Sequence, residues 1–150
     1  MTDADALPVL PTIDDRNRPF WDGCSVGELR LQACRGCGRL RYPISDACPN
    51  CLSPEHDWRV MSGDGEILSW VVFQRAYHPA WLARTPYNVV LVQLREGPRM
   101  FGNVEPLGRT DLTVGAAVRV VFAPAVDGGG AIAGAGASAT PVLIPRWRIA

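Results

Sequence analysis

Two short cysteine motifs constrain this chain more than anything else in it. Cys34-Arg35-Gly36-Cys37 and Cys48-Pro49-Asn50-Cys51 are C-x-x-C pairs with ten residues between them. Two residues between thiolates allow a tight turn in which both sulfurs and the intervening backbone N–H groups converge on one ion. Two such knuckles supply four sulfurs about 2.3 Å from a tetrahedral metal. Gly36 and Gly38 suit the positive φ angles of such turns. Four thiolates on a divalent ion leave an excess of negative charge, and Arg35, Arg39 and Arg41 stand beside them to offset it. With no open coordination position, the pattern predicts one structural Zn²⁺ per chain, held by Cys34, Cys37, Cys48 and Cys51. The spacing leaves open iron in a rubredoxin-type redox site, two disulfides, or unligated thiols. Cys24 lies outside both pairs, with no histidine or cation in evidence beside it, and reads as a small buried side chain.

The 150 residues suffice for one domain or two very small ones. All 15 basic residues are Arg, balanced by 15 Asp and Glu to a net charge of zero. Without lysine there is no Schiff base and no phosphate-binding loop ending in Gly-Lys-Ser/Thr. Neutrality argues against a nucleic-acid partner held through many phosphates. With two histidines and no nucleophile motif, the chain suits a binding or accessory role better than an autonomous enzyme. Asp3, Asp5, Asp14 and Asp15 interrupt the start, where a secretory signal would need a basic and then an apolar run. No apolar stretch reaches the roughly 18 residues of a membrane helix. A cytoplasmic protein without membrane contact is expected.

Residues 1–17 read as an extended, flexible arm, and Arg18 to Gly27 as a helix of two or three turns with Pro19 in its first turn. The helix and the cysteine block form a unit over 18–57. From about Trp58 the pattern turns to strands, over Glu66–Phe73, Asn88–Arg95, Arg99–Val104, Ala117–Ala123 and Val142–Ile149. Gly63-Asp-Gly65 and Glu96-Gly-Pro98 mark turns, and Asp127 to Thr140, rich in Gly and Ala, reads as a flexible surface loop. Five strands without an amphipathic helix between them fit a small closed barrel over 58–150. A mainly β chain follows: a short helix and zinc ribbon, then a five-stranded OB-fold barrel, with an SH3-like barrel as the second choice.

At this point the chain resembles a family of bacterial and archaeal proteins that join a rubredoxin-like zinc ribbon to an OB-fold and are described as acyl-CoA-associated. The resemblance rests on Arg18-Pro-Phe-Trp21, Gly27-Glu-Leu-Arg-Leu-Gln32, Cys34 to Pro43, Cys48-Pro-Asn-Cys51 and Gly63-Asp-Gly65. It continues through His78-Pro79, Pro86-Tyr87, Val114-Gly115 and Pro145-Arg-Trp147, covering about 18 to 149 in the family's order. The stretch 127–140 is longer than the short turn usual there. The resemblance implies a non-catalytic subunit of a heteromer, heterotetrameric or larger, with a thiolase-superfamily enzyme. Such complexes carry out acyl transfer, Claisen condensation, retro-aldol cleavage or hydration of CoA thioesters. It further implies that the helix and ribbon meet the partner and that the barrel sits near a CoA thioester at the interface.

Within that frame, Phe20 and Trp21 are the rigid aromatics suited to anchor an interface, unless they pack on the chain's own ribbon. Tyr77 to Trp81 form an aromatic loop at a strand end, with His78 and Trp81 placed to wall an acyl tunnel or stack on a base. Arg99 and Arg119 are candidates for CoA phosphates. Two other classes compete: a single-stranded nucleic-acid module, and an enzyme in its own right, either a small acyl-CoA hydratase or a redox protein. The second lacks a carboxylate in view to pair with His78.

Overall fold

A computed structural model describes residues 10–125 and 141–150. The chain begins with α1 (Arg18–Ser25), where Pro19 occupies the first turn. Ahead of it, Asp14 and Asn17 exchange backbone-to-side-chain hydrogen bonds of 2.9 and 3.1 Å, which folds the approach into a turn. α1 buries Phe20, Gly23 and Cys24 on one face. The helix then gives way to a three-stranded antiparallel sheet of β1 (Arg30–Cys34), β2 (Leu40–Arg41) and β3 (His56–Val60), ordered β2-β1-β3. Only the cysteine knuckles of this ribbon were legible as motifs; its short strands lack the apolar alternation that signals one.

A second antiparallel sheet contains β4 (Asp64–Phe73), β5 (Tyr87–Leu94), β6 (Arg99–Gly102), β7 (Ala117–Pro124) and β8 (Leu143–Ile149). These five strands match the sequence reading to within a few residues at each end. Their order is β6-β5-β4-β7-β8, so the two outer strands are far apart in the list yet meet in space. The chain just past β6 pairs in parallel with β8 at Val104 and Trp147. Trp147 N–H donates to Asn103 O and Glu105 N–H to Trp147 O, both at 2.8 Å. This seam curls the sheet toward closure, and its order is that of an OB-fold rather than an SH3-like barrel. Leu68 is skipped between β4 and β5 in a bulge that helps the bend.

The even positions of β5, Asn88, Val90, Val92 and Leu94, point inward and are buried, with Ile67, Met100, Val104, Val118 and Trp147 around them. Phe20 of α1, Leu29 and Leu31 at β1, and Met61 just past β3 belong to the same continuous core. Ribbon and barrel are therefore packed together, not strung apart. Gly102 permits the seam, because a Cβ there would lie 2.7 Å from Trp147 Nε1. Asp127 to Thr140, read from sequence as a loop, lies outside the described residues.

Asn88 is a polar residue of the barrel interior and is fully buried. Its Oδ1 accepts from Val104 N–H at 2.7 Å, and its Nδ2 donates to Val104 O at 2.9 Å and Leu107 O at 2.8 Å. The side chain thus substitutes for a strand partner along the segment after β6. Asn88→Ala leaves the buried N–H and carbonyl of Val104 without that partner, while Leu107 O keeps the Asn88 backbone N–H at 2.8 Å. It is expected to lower unfolding free energy by about 2–4 kcal/mol, read by urea denaturation; a change under about 0.5 kcal/mol would show that the clamp is dispensable.

Candidate functional site

The cysteine motifs become a site because the ribbon folds them face to face. Cys34 ends β1, and its N–H donates to Arg39 O at 2.9 Å, closing the first knuckle; Gly38 there has φ of +75°. In the second, Cys48 N–H donates to Ser53 O at 2.9 Å and Leu52 takes the left-handed φ of 62°. Gly36, expected to need a positive φ, does not adopt one; its role is space, since a Cβ would lie 3.3 Å from Cys51 Sγ.

The nearest sulfurs come from opposite pairs: Cys34 Sγ lies 3.5 Å from Cys51 Sγ, and Cys37 Sγ lies 3.6 Å from Cys48 Sγ. All four lie within 4.8 Å of one another. A tetrahedron with metal–sulfur bonds of about 2.3 Å has edges of about 3.8 Å, so the four sulfurs fit one metal ion. Disulfides, one of the sequence alternatives, are absent from the described residues; the five cysteines are free thiols.

Hydrogen bonds from the backbone N–H of Cys37, and further ones from Cys51 and Gly36, pull Cys34 down to about 6. Cys51 takes a lowering bond from Ser53 N–H, yet proton sharing with the other three thiols lifts it to about 11. The three nearby arginines do not all face the sulfurs. Arg35 is paired to Asp57 at 2.6 Å, and buried Arg41 donates to Ser45 O at 3.2 Å and Glu55 O at 3.0 Å, tying the two knuckles together. Exposed Arg39 has no carboxylate partner among the described residues.

A network that the sequence reading missed braces this centre. His56 Nδ1 lies 3.1 Å from Pro54 O, an acceptor, so Nδ1 carries the proton and Nε2 accepts from Gln32 Nε2 at 3.1 Å. Gln32 Oε1 in turn accepts from Ser45 N–H at 2.9 Å. Gln32 precedes Cys34 by two residues and His56 follows Cys51 by five, but only the pairing of β1 with β3 brings them together. Cys24 is fully buried, and desolvation pushes its thiol up to about 12, away from reactivity.

The aromatic and cationic candidates fall in three places. Phe20 is buried in the chain's own core, 5.0 Å from Trp21 and 6.3 Å from Tyr42 between ring centres, so it is not an exposed anchor. Half-buried Trp21, with Phe20 beneath it, lines a hollow of about 520 Å³ together with Tyr42, Ile44, Phe101 and Ile144. His78 is exposed and caps the 3₁₀ helix Pro79–Arg84, its Nδ1 accepting from Ala80 N–H at 3.1 Å; the sequence read this stretch as a loop. Trp81 packs on Tyr87 at 4.6 Å beneath the Arg84 guanidinium, and Phe73 stacks on Tyr87 at 5.1 Å. Arg119 is paired to Asp64 at 2.9 Å.

Arg99 stands opposite Gln93 at the far end of β5 from Tyr87. Six residues of strand separate the two levels by about 20 Å. His78 and Trp81 therefore do not share a compact site with Arg99, a separation that spacing along the sequence does not reveal.

Against known proteins, residues 21–57 match the family model described as the ChsH2 rubredoxin-like zinc ribbon domain. Residues 58–123 match the model of the ChsH2 C-terminal OB-fold domain. The chain belongs to the ChsH2 family. A solved structure described as an Ltp2-ChsH2(DUF35) aldolase superposes with a TM-score of 0.73 at 27% identity, covering 93% of this chain and 98% of that one. A probable enoyl-CoA hydratase alpha subunit from Thermomonospora curvata is 32% identical over 110 residues, 73% of this chain and 34% of that protein. A DUF35 domain-containing scaffold protein from Methanocaldococcus jannaschii is 28% identical over 90 residues, 59% of this chain and 63% of that protein. The chain thus spans about a third of the hydratase subunit it matches. Zinc ribbon and OB-fold follow one another directly here, and no helix among the described residues is long and apolar enough to cross a membrane.

Loss of one sulfur should break the centre. Cys48→Ser is expected to abolish stoichiometric metal by elemental analysis and to lower the thermal midpoint, because the ribbon shares the core. Chelation of the unaltered protein should give a similar loss. A midpoint unmoved by both would show that the ribbon stands without metal.

Proposed function

We propose that the chain is a non-catalytic accessory subunit that binds a thiolase-fold enzyme and supports CoA-thioester chemistry of the acyl-transfer, Claisen or retro-aldol type. The observation that carries this reading is the near-complete superposition on the ChsH2(DUF35) component of an aldolase named jointly with Ltp2. The description of another relative as a scaffold protein points the same way. In this reading the ion is Zn²⁺, held by Cys34, Cys37, Cys48 and Cys51. Four sulfurs close its coordination, so it fixes the ribbon and leaves acid–base chemistry to the partner. The complex is a cytoplasmic heterotetramer or larger, with the CoA thioester near the interface.

The hollow beside α1 is the docking face that best suits the partner. Its lining combines aromatic and aliphatic side chains with Asp14, Arg16 and Asp46 at one side, and Phe101 within it is 70% exposed. Aromatic anchors in shallow hollows are typical interface hot spots. A second reading, a component of an acyl-CoA hydratase, draws on the hydratase alpha subunits among the relatives.

The test is isolation of the tagged chain from its own cells with quantification of what accompanies it. A thiolase-superfamily protein in stoichiometric yield is expected; a hydratase in its place would favour the second reading. Phe101→Ser, which removes no core side chain, is expected to weaken that complex about tenfold, and Trp21→Ala more. Full affinity in both variants would move the interface elsewhere.

A further inference from the structure

β3 is an edge of the ribbon sheet. Among the described residues its strand neighbour is β1, in the order β2-β1-β3. That pairing fixes where its backbone groups point. Arg35 N–H donates to Glu55 O at 3.1 Å and Met61 N–H to Leu29 O at 2.8 Å, at the two ends of the β1–β3 ladder. Directly opposed residues in an antiparallel pair alternate between hydrogen-bonded and open, so Asp57 and Arg59 bond toward β1. The N–H and C=O groups of His56, Trp58 and Val60 therefore point the other way, along the free edge.

Sheet edges are commonly blunted by lysine, proline or a bulge. β3 has none of these: its sequence is His-Asp-Trp-Arg-Val, and its register with β1 runs without a shift. Its two charges are of opposite sign. Side chains alternate along a strand, so His56, Trp58 and Val60 share one face and Asp57 and Arg59 the other. Val60 is 52% exposed, and half-buried Trp58 lies 5.7 Å from His56 between ring centres. Asp57 and Arg59 are both exposed. Arg35 donates twice to Asp57, at 2.9 and 2.6 Å, both times to Oδ1, which leaves Oδ2 for another cation. Arg59 makes no ion pair among the described residues.

We infer that β3 is a self-association edge: two copies of this chain pair their β3 strands antiparallel, about a two-fold axis at Trp58, into one continuous ribbon sheet. The charges select both this occupant and this register. An axis at Asp57 would set that carboxylate against itself, and an axis at Arg59 would oppose two guanidinium groups; like charges directly opposite one another destabilise a sheet. An axis at Trp58 instead sets Asp57 of each copy opposite Arg59 of the other, because a two-fold contact repeats every pair. The same register opposes Trp58 to Trp58 and His56 to Val60, so the outward N–H and C=O groups of these residues meet partners. β3 stands across β1 from β2, whereas the hollow beside α1 is lined by Tyr42 to Asp46, just past β2, and by no residue of β3. Pairing through β3 leaves that hollow open in both copies. The inference does not depend on the accessory-subunit reading; taken with it, the pair brings two docking hollows into one assembly.

Sedimentation equilibrium of the metal-loaded chain over a range of concentrations tests this. Two strands of five residues make a small interface, so a dimer with a dissociation constant of about 10–100 μM is expected, weakening as salt rises. Arg59→Asp and Asp57→Arg each place like charges opposite one another, and each alone should weaken the dimer about tenfold or more. Mixed in equal amounts, the two variants regain both Asp–Arg pairs and should associate within about threefold of the unaltered affinity. A distorted ribbon could not produce that rescue, and metal content checks that each variant keeps its fold. A chain that stays monomeric to about 1 mM overturns the proposal. So does a dimer indifferent to both single variants, or a mixture that fails to associate. A dimer lost on Phe101→Ser overturns it as well, because the contact would then lie at the hollow.

Discussion

Everything else in this protein is hung on the convergence of four cysteine sulfurs. The ribbon strands are short, two to five residues, and β2 has two register pairs with its neighbour. Such a sheet cannot bury enough apolar surface to hold itself, so a cross-link at one end must do what a core does elsewhere. Once the knuckles are fixed, β1 and the residue before it present Leu31 and Leu29 toward the barrel, and one core runs through both halves. A metal held by these sulfurs would act at a distance: it would set the ribbon, and the ribbon sets the hollow beside α1.

The polar braces share one logic. Gln32, Arg41 and Asn88 are buried, and each hydrogen-bonds to backbone groups of irregular segments that no strand partner reaches. A buried side chain that satisfies several backbone groups replaces missing sheet. Binding features collect at the edges of this frame: an apolar hollow beside α1, an aromatic cluster at one end of β5 and Arg99 at the other. Their separation along β5 suits an extended ligand or a broad partner better than a compact catalytic pocket.

The four-cysteine cluster was legible because C-x-x-C spacing is a local constraint that a tight turn satisfies wherever it lies. The barrel strands were legible because β-branched and aromatic runs bounded by Gly and Pro carry the period of a strand. Phe20 shows the limit. An aromatic residue on a terminal helix reads equally as anchor or core, and only the packing of α1 against the ribbon puts Phe20 inside and Trp21 at the surface.

The amino-acid sequence by itself determined the two cysteine knuckles, the five barrel strands and the family, since each is written in residues close together or in an ordered series. Tertiary structure alone decided which candidates share a site. His78 and Trp81 were separated from Arg99 by the length of β5, while Arg39 and Arg99, sixty residues apart, were brought to line one hollow. The reason is physical: a strand holds its residues apart by a fixed rise, whereas pairing and packing join segments whatever their distance along the chain.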